Sequence, residues 1–324
     1  MTTLPVDIAT KAVRSAGLAP SLHNSQPWRW VFDGTQLDLH AVPERMLPTT
    51  DPTGRQMVLS CGIALGHLRT ASTAAGWSTV VAHCPDPNRR THLATVRFAP
   101  RPTVTDADRD RAEAIRQRYT NRLPMRPPTG WADFETVLHS TFDPADAILD
   151  VIPETGRAVL AHASGLTAAL RYRDAEYQSE LMWWTGTSEP ETGIPESALL
   201  TADERARVPI GRSFPLAADR PRRDAPPDAA TVLVLSTDSD GRADLLRGGE
   251  VLSTVLLECT AAGYATCVLT HLTEYSRSRD LIRDLIADTA LPQSLIRVGL
   301  AAPDSDLVPR TPRLALSEIL QVLG

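Results

Sequence analysis

The feature that most constrains the fold is an internal echo. Residues 62–76 can be laid on residues 249–263 without a gap. Both segments open on Gly and carry Leu at the fourth position, Leu65 and Leu252. Both finish Thr-Ala-Ala-Gly-aromatic, at Thr73–Trp77 and Thr260–Tyr264, and each runs on into a β-branched stretch containing a cysteine. Two Ala-rich helices can match by chance, but the elements around them also occur in similar order. The pattern predicts two related α+β halves in one chain, packed about a pseudo-twofold axis as the subunits of an isologous dimer are.

Size and charge narrow the function classes. A chain of 324 residues holds one large domain or two ordinary ones. Its net charge of -6 and pI near 5.8 leave no basic excess to neutralise phosphates, so general nucleic-acid binding is excluded. Lys11 is the sole lysine, and nearly all positive charge sits on arginine forks suited to bidentate anion contacts. Cys61, Cys84, Cys259 and Cys267 form no zinc or Cys-x-x-Cys spacing and read mostly as reduced core thiols. The start of the chain has no basic segment followed by an apolar one, and no window approaches the ~20 apolar residues of a membrane span. A cytoplasmic protein is expected.

Periodicity predicts a helix over residues 6–18. A hairpin follows, with segments 28–32 and 37–41 on either side of Asp33-Gly34. A second helix is expected over 55–75, with strands at 78–84 and 91–99. Residues 100–105 read as a linker, and Asp106 as a cap for the next helix. A long helix is expected near 155–185, then an irregular stretch that exceeds ordinary loop length. A strand at 231–236, a helix over 249–262, and strands at 265–269 and 295–301 flanking a helix complete the pattern. A short helix ends the chain. The expected halves are residues 1–105 and 106–324, with 183–227 as a candidate lid. The alternative for Trp183 and Trp184 in that stretch is simple core packing.

Three segments carry chemistry. The loop Ala19-Pro-Ser-Leu-His-Asn-Ser-Gln-Pro-Trp28 concentrates polar side chains between two prolines that fix φ and withdraw backbone donors. It reads either as a ligand-contacting loop or as a well-capped surface turn. In Arg116-Gln-Arg-Tyr-Thr-Asn-Arg122, residues Arg118, Thr120 and Arg122 alternate, and an extended segment would turn two guanidiniums and a hydroxyl to one side. The alternative is a solvated basic patch. Arg310-Thr-Pro-Arg313 completes the same anion site or forms a surface tail. Arg55, at a helix start, either reaches the site or faces solvent. No GxGxxG, P-loop or GxSxG signature is present. The eight histidines show no metal spacing such as HExxH, so no metal is expected, and His67, His83 and His162 read as ordinary residues.

The Ala19–Trp28 loop resembles the APSxxNxQPW signature of the FMN-dependent nitroreductase family. Arg118–Arg122 is similar to that family's RxSxR/K element, Arg310–Arg313 to its C-terminal basic residues, and Ala262–Thr266 to its AxGLGS turn. The resemblance spans most of the chain, and the first motif is the specific one. It implies an α+β nitroreductase-like fold. In ordinary members two subunits build each flavin site, one supplying the loop and the other the arginine elements. Here the loop occurs once, in the first half, and the arginine elements once, in the second. The chain is therefore similar to the fused, Acg-type subgroup of actinobacterial members, a pseudo-dimer with one FMN.

The resemblance implies that Arg118 and Arg313 hold the FMN phosphate, with Arg310 assisting. Thr120 would bond the phosphate or ribityl chain, and Arg122 would lie near the pyrimidine edge of the ring. Ser21, His23 and Asn24 would line the ring, with Arg55 reaching it from the first half. The implied activity is ping-pong electron transfer from NAD(P)H through FMN to a nitro, quinone or other acceptor, by a chain working as a monomer. The alternative is a protein that stores FMN without turnover. No dedicated acid–base residue is required, because the flavin carries the electron chemistry.

Overall fold

Asp33 and Gly34 reverse the chain as their residue types demand. Gly34 adopts φ 92°, and the Asp33 carboxylate accepts from the backbone N–H groups of Thr35 (2.8 Å) and Gln36 (2.9 Å). The hairpin pairs Trp28 with Ala41 and Phe32 with Leu37. The computed structural model describes residues 4–186, 191–218, 226–286, 290–302 and 310–323. In chain order the helices are α1 Val6–Ala16, α2 Arg55–Ala74, α3 Asp106–Gln117, α4 Trp131–His139, α5 Arg157–Tyr172, α6 Ala175–Trp183, α7 Ala202–Ala206, α8 Arg242–Ala261, α9 Ser276–Arg283 and α10 Leu316–Ile319. The strands are β1 Trp28–Phe32, β2 Gln36–Ala41, β3 Trp77–His83, β4 His92–Pro100, β5 Ile148–Val151, β6 Thr231–Thr237, β7 Ala265–Leu269, β8 Leu291–Gly299 and β9 Leu320–Val322. No helix among the described residues is long and apolar enough to cross a membrane.

The chain divides into two compact units. One comprises Met1–Arg118, Asp240–Ala261 and Pro312–Gly324, and the other Tyr119–Ser239 and Ala262–Thr311. The expected division at 105/106 is therefore corrected. Helix α3, expected to open the second half, packs Ala114 and Ile115 on Leu257 of α8, with Leu18 and Ala71 alongside. Arg111 of α3 also pairs with Glu258. Apolar burial and this ion pair draw α3 into the first unit, and α8 returns to it from far along the chain.

The first unit carries a five-stranded sheet in the order β3-β4-β2-β1-β9. Alternation puts Trp28, Trp30, Phe32, Leu37 and Leu39 wholly out of solvent, while Arg29 and Asp38 lie on the other face. Strand β9 pairs parallel to β1, Trp30 opposite Leu320, an addition that its three-residue length kept below any pattern threshold.

Helices α2 and α8 explain the echo. A Cβ placed on Gly62 would lie 2.2 Å from the Leu246 carbonyl oxygen and 2.8 Å from Gly249 Cα. A Cβ on Gly249 would lie 2.3 Å from the Leu59 carbonyl oxygen and 2.7 Å from Gly62 Cα. Gly66 meets Ser253 in the same way, at 2.5 Å to its Cβ. These partners occupy matching positions of the two echo segments, so the contact is reciprocal, the signature of an isologous interface. Only glycine lets two backbones approach so closely. Gly76 and Gly263, which end the two segments, share a φ of 82°.

The second unit has a four-stranded sheet in the order β5-β6-β8-β7, antiparallel throughout. Its core joins Val232 and Val234 of β6, Cys267 and Leu269 of β7, and Leu295 of β8 to Leu160 of α5 and Ile282 of α9. Two expectations change here. The long helix near 155–185 is two helices, because the Asp174 side chain caps α6 by accepting from Tyr177 N–H at 3.0 Å. The stretch 183–227 also has structure: a capping box between Thr201 and Glu204 starts α7, and Leu199, Val208 and Ile210 are buried. Trp183 is 66% exposed. Residues 187–190 and 219–225 of this stretch lie outside the described residues.

Candidate functional site

The loop after α1 is not a surface turn. His23, Asn24, Ser25 and Gln26 are all buried. Three of them, His23 (φ 48°), Asn24 (φ 60°) and Gln26 (φ 49°), adopt the left-handed region. Such conformations cost on the order of 1–3 kcal/mol each and persist only where surroundings over-determine them. Here the surroundings are explicit. Gln26 N–H donates to Ser21 Oγ (2.9 Å), Arg45 donates to the Gln26 carbonyl (3.2 Å), and Cys61 Sγ donates to the Pro27 carbonyl (3.3 Å). Leu22 N–H reaches Ser60 Oγ on α2 at 3.4 Å.

Two side chains of the loop grip the C-terminal segment. Asn24 Nδ2 donates to the Pro312 carbonyl at 3.1 Å, and Gln26 Oε1 accepts from Leu314 N–H at 3.0 Å. These two peptide groups flank Arg313, so the loop fixes the backbone from which that guanidinium projects. Arg313 Nη2 then donates to the Leu18 carbonyl at 3.2 Å, and Arg118 Nη2 donates to the same oxygen at 3.4 Å. Arg118 closes α3 as its C-cap, and from there its side chain reaches the Leu18 carbonyl.

Two guanidiniums meet on one carbonyl, and Arg313 donates in addition from Nη1 to the Pro312 carbonyl at 3.0 Å. Burial, and then the charge of Arg313, pull the Arg118 pKa down to about 9. Burial pulls that of Arg313 down to about 10. Arg118 makes no ion pair with a carboxylate among the described residues, and its Nε is buried without a hydrogen-bond partner. A dianion placed between such forks would gain charge-assisted bonds and relieve the mutual repulsion. His67 of α2 belongs to the same neighbourhood. It is fully buried, its Nδ1 lies 2.8 Å from Ser253 Oγ, and its Nε2 has no partner among the described residues. Burial first, then Arg118 and Arg313, hold its pKa well below the usual histidine range.

The remaining expected residues lie within their own units. Arg55 is the first residue of α2 and is buried behind Gly54, whose φ is 72°. Thr120, Arg122 and Arg310 belong to the second unit. There Thr120 bridges to Thr266, and Asn121 N–H donates to the Thr266 carbonyl at 2.9 Å. Arg297 donates to the Leu123 carbonyl at 3.0 Å while pairing with Asp228 at 2.5 Å. These bonds hold the chain on both sides of Arg122. Arg122 stacks over Phe214 at 5.3 Å, and its pKa is lowered chiefly by burial, with Arg212 acting in the same direction. Arg310 is exposed.

Sequence reasoning missed Gln26 and His67. The first had a signal, a polar residue between Ser25 and Pro27 in the motif; the second had none, because a histidine on an apolar helix reads as core.

No family model matches the chain. Among curated proteins, an uncharacterized protein of Mycobacterium tuberculosis is 48% identical over 316 residues, covering 96% of this chain and 92% of that one. "Putative NAD(P)H nitroreductase acg" of the same organism is 46% identical over 322 residues, covering 99% and 97%. Among solved structures, the FMN-dependent nitroreductase NfnB from Mycobacterium smegmatis in complex with NADPH aligns at 17% identity and a TM-score of 0.43, over 68% of this chain and all of that one. At 46% identity over nearly its whole length, the chain belongs to the nitroreductase-like family that includes the mycobacterial acg protein.

Proposed function

We propose that this chain is an FMN-dependent oxidoreductase of the nitroreductase type, with Arg118 and Arg313 as the cradle for the flavin phosphate. The observation that carries this reading is that the Arg118 guanidinium meets a second arginine on the Leu18 carbonyl while the Arg118 Nε is buried and unpartnered among the described residues. That donor set suits a phosphomonoester: two planar, half-buried forks, with no carboxylate paired to Arg118 among the described residues. The relatives named as NAD(P)H nitroreductases support the wider assignment.

When bound, FMN supplies two-electron chemistry between a reduced nicotinamide and an oxidised acceptor. The chain's own residues bind and orient. Arg118 and Arg313 neutralise the phosphate, and Asn24 and Gln26 hold the backbone of Arg313 in place. His67, kept neutral, adds no third positive charge and leaves an imidazole nitrogen available to the anion. Ser21, His23 and Asn24 belong to the loop assigned to the ring, and Thr120 and Arg122 follow Arg118 directly in the chain. Since loop and arginine run each occur once, one FMN per chain is the proposed stoichiometry. The proposed kinetics are ping-pong, the nicotinamide leaving before a nitro or quinone acceptor enters.

The test is anaerobic reconstitution with FMN followed by addition of NADH or NADPH. A yellow protein with one flavin per chain, bleached by nicotinamide and reoxidised by a nitroaromatic or quinone, supports the proposal. Bleaching by dithionite alone would instead assign storage of FMN without turnover. A chain that cannot be loaded with FMN overturns both.

A further inference from the structure

A cluster remote in sequence from the arginine pair lies on the first unit's sheet. Asp38 and His40, two apart on β2, share the face opposite buried Leu37 and Leu39. A bulge between Leu39 and His40 shifts the pairing with β4: Leu39 faces Ala94, but His40 faces His92, passing over Leu93. Bulges commonly re-aim a side chain. This one sets two imidazoles against each other, with ring centroids 4.8 Å apart and planes 24° apart.

From this geometry we propose that Asp38, His40 and His92 form a binding site for a divalent transition-metal ion, zinc being the best match. Each residue offers one ligand atom, and the three atoms lie within 4.8 Å of one another. His92 Nε2 lies 3.3 Å from Asp38 Oδ1, and Thr95 Oγ1 donates to that same oxygen at 2.6 Å. The Thr95 hydroxyl also lies 3.1 Å from His92 Nε2, so it holds both of these ligand atoms in place, as outer-shell partners of metal ligands do. Drawing the ligand atoms to the roughly 3.3 Å spacing of a tetrahedral zinc site requires only side-chain rotation on a fixed pair of strands. Two imidazoles with one carboxylate favour zinc and its neighbours over magnesium or calcium, and one position remains for water.

The electrostatics are mixed but consistent. Burial and His92 lower the proton affinity of His40, Asp38 opposes them, and the exposed Arg29 and Arg89 add to the lowering. The two arginines also oppose a cation, which places the site below closed four-ligand structural zinc in affinity. Bound metal would pin β2 to β4 at the bulge. These ligands come from two strands, so no linear spacing announces them.

The experiment is zinc titration of the metal-free full-length protein by calorimetry, with cobalt absorption reporting geometry. One zinc per chain is expected, weakened at least 10-fold in His40→Ala and in His92→Ala, and about 10-fold in Thr95→Val. On the unaltered chain, zinc should shield His40 and His92 from carbethoxylation and leave exposed His162 unprotected. Absence of saturable zinc binding, undiminished affinity in both histidine variants, or equal modification of His40 and His92 with and without zinc overturns the proposal.

Discussion

Arg118 and Arg313 donate to one oxygen, the carbonyl of Leu18, at 3.4 and 3.2 Å. An anion between two guanidiniums that converge on one neutral acceptor would offset their mutual repulsion. Arg118→Ala is expected to weaken FMN binding by about 2–5 kcal/mol, roughly 30- to 5,000-fold. Fluorescence titration with FMN measures it, and unchanged affinity would remove Arg118 from the site.

Asn24 and Gln26 grip the peptide groups on either side of Arg313. Their effect on FMN affinity should therefore run through that arginine. Asn24→Ala and Gln26→Ala should each weaken binding in the parent chain and do little in an Arg313→Ala background, with a coupling of about 1–3 kcal/mol. Additive losses in the cycle would show that the loop side chains act on their own.

At the α2–α8 crossing, a Cβ on Gly62 would strike the Leu246 carbonyl at 2.2 Å. Backbone cannot yield as a flexible side chain does. Gly62→Ala should cost about 3 kcal/mol, at the upper end for overpacking. Gly165→Ala, at an exposed position of α5 with nothing within 4 Å, should be neutral or stabilise by about 0.5–1 kcal/mol. Denaturant unfolding of the two variants distinguishes these outcomes.

His67 and His271 are both buried with pKa values held well below the ordinary one of 6.5. Below that value the unfolded chain takes up protons that the folded chain refuses, so stability is full above about pH 6.5 and falls as pH drops. Each histidine should contribute about 1.4 kcal/mol of loss between pH 7.5 and 5.5. Urea unfolding should show the pH 7.5-to-5.5 difference shrinking in His67→Gln; an unaltered difference would refute the assignment.

Much of this could be read in the amino acids, and the exceptions have physical causes. The echo at Gly62 and Gly249 was legible because close helix contact demands glycine, and the structure brings those two residues together. The Asp33-Gly34 turn and the strands around it were legible for the same local reason. The unit boundary was not, because α3 is amphipathic on either assignment and only its partner Leu257, far along the chain, decides. Strand β9 and the break at Asp174 were too short or too local to register against periodicity. In the candidate site, Arg118 was visible within a run of arginines and Arg313 within a short C-terminal arginine pair held by proline. The role of Gln26 and the position of His67 depend on three-dimensional neighbours that no spacing encodes.

The reciprocal Gly62–Gly249 contact also sets a timetable. Helix α2 leaves the ribosome well before α8, about 190 residues later in the chain. At roughly 5–20 residues per second, its interface waits some ten to forty seconds for its counterpart. Throughout that interval a glycine-lined apolar groove stands open on a nascent chain. Fusing two halves into one polypeptide thus ties completion of the first unit to the last part of synthesis, a delay that two separate subunits would not share.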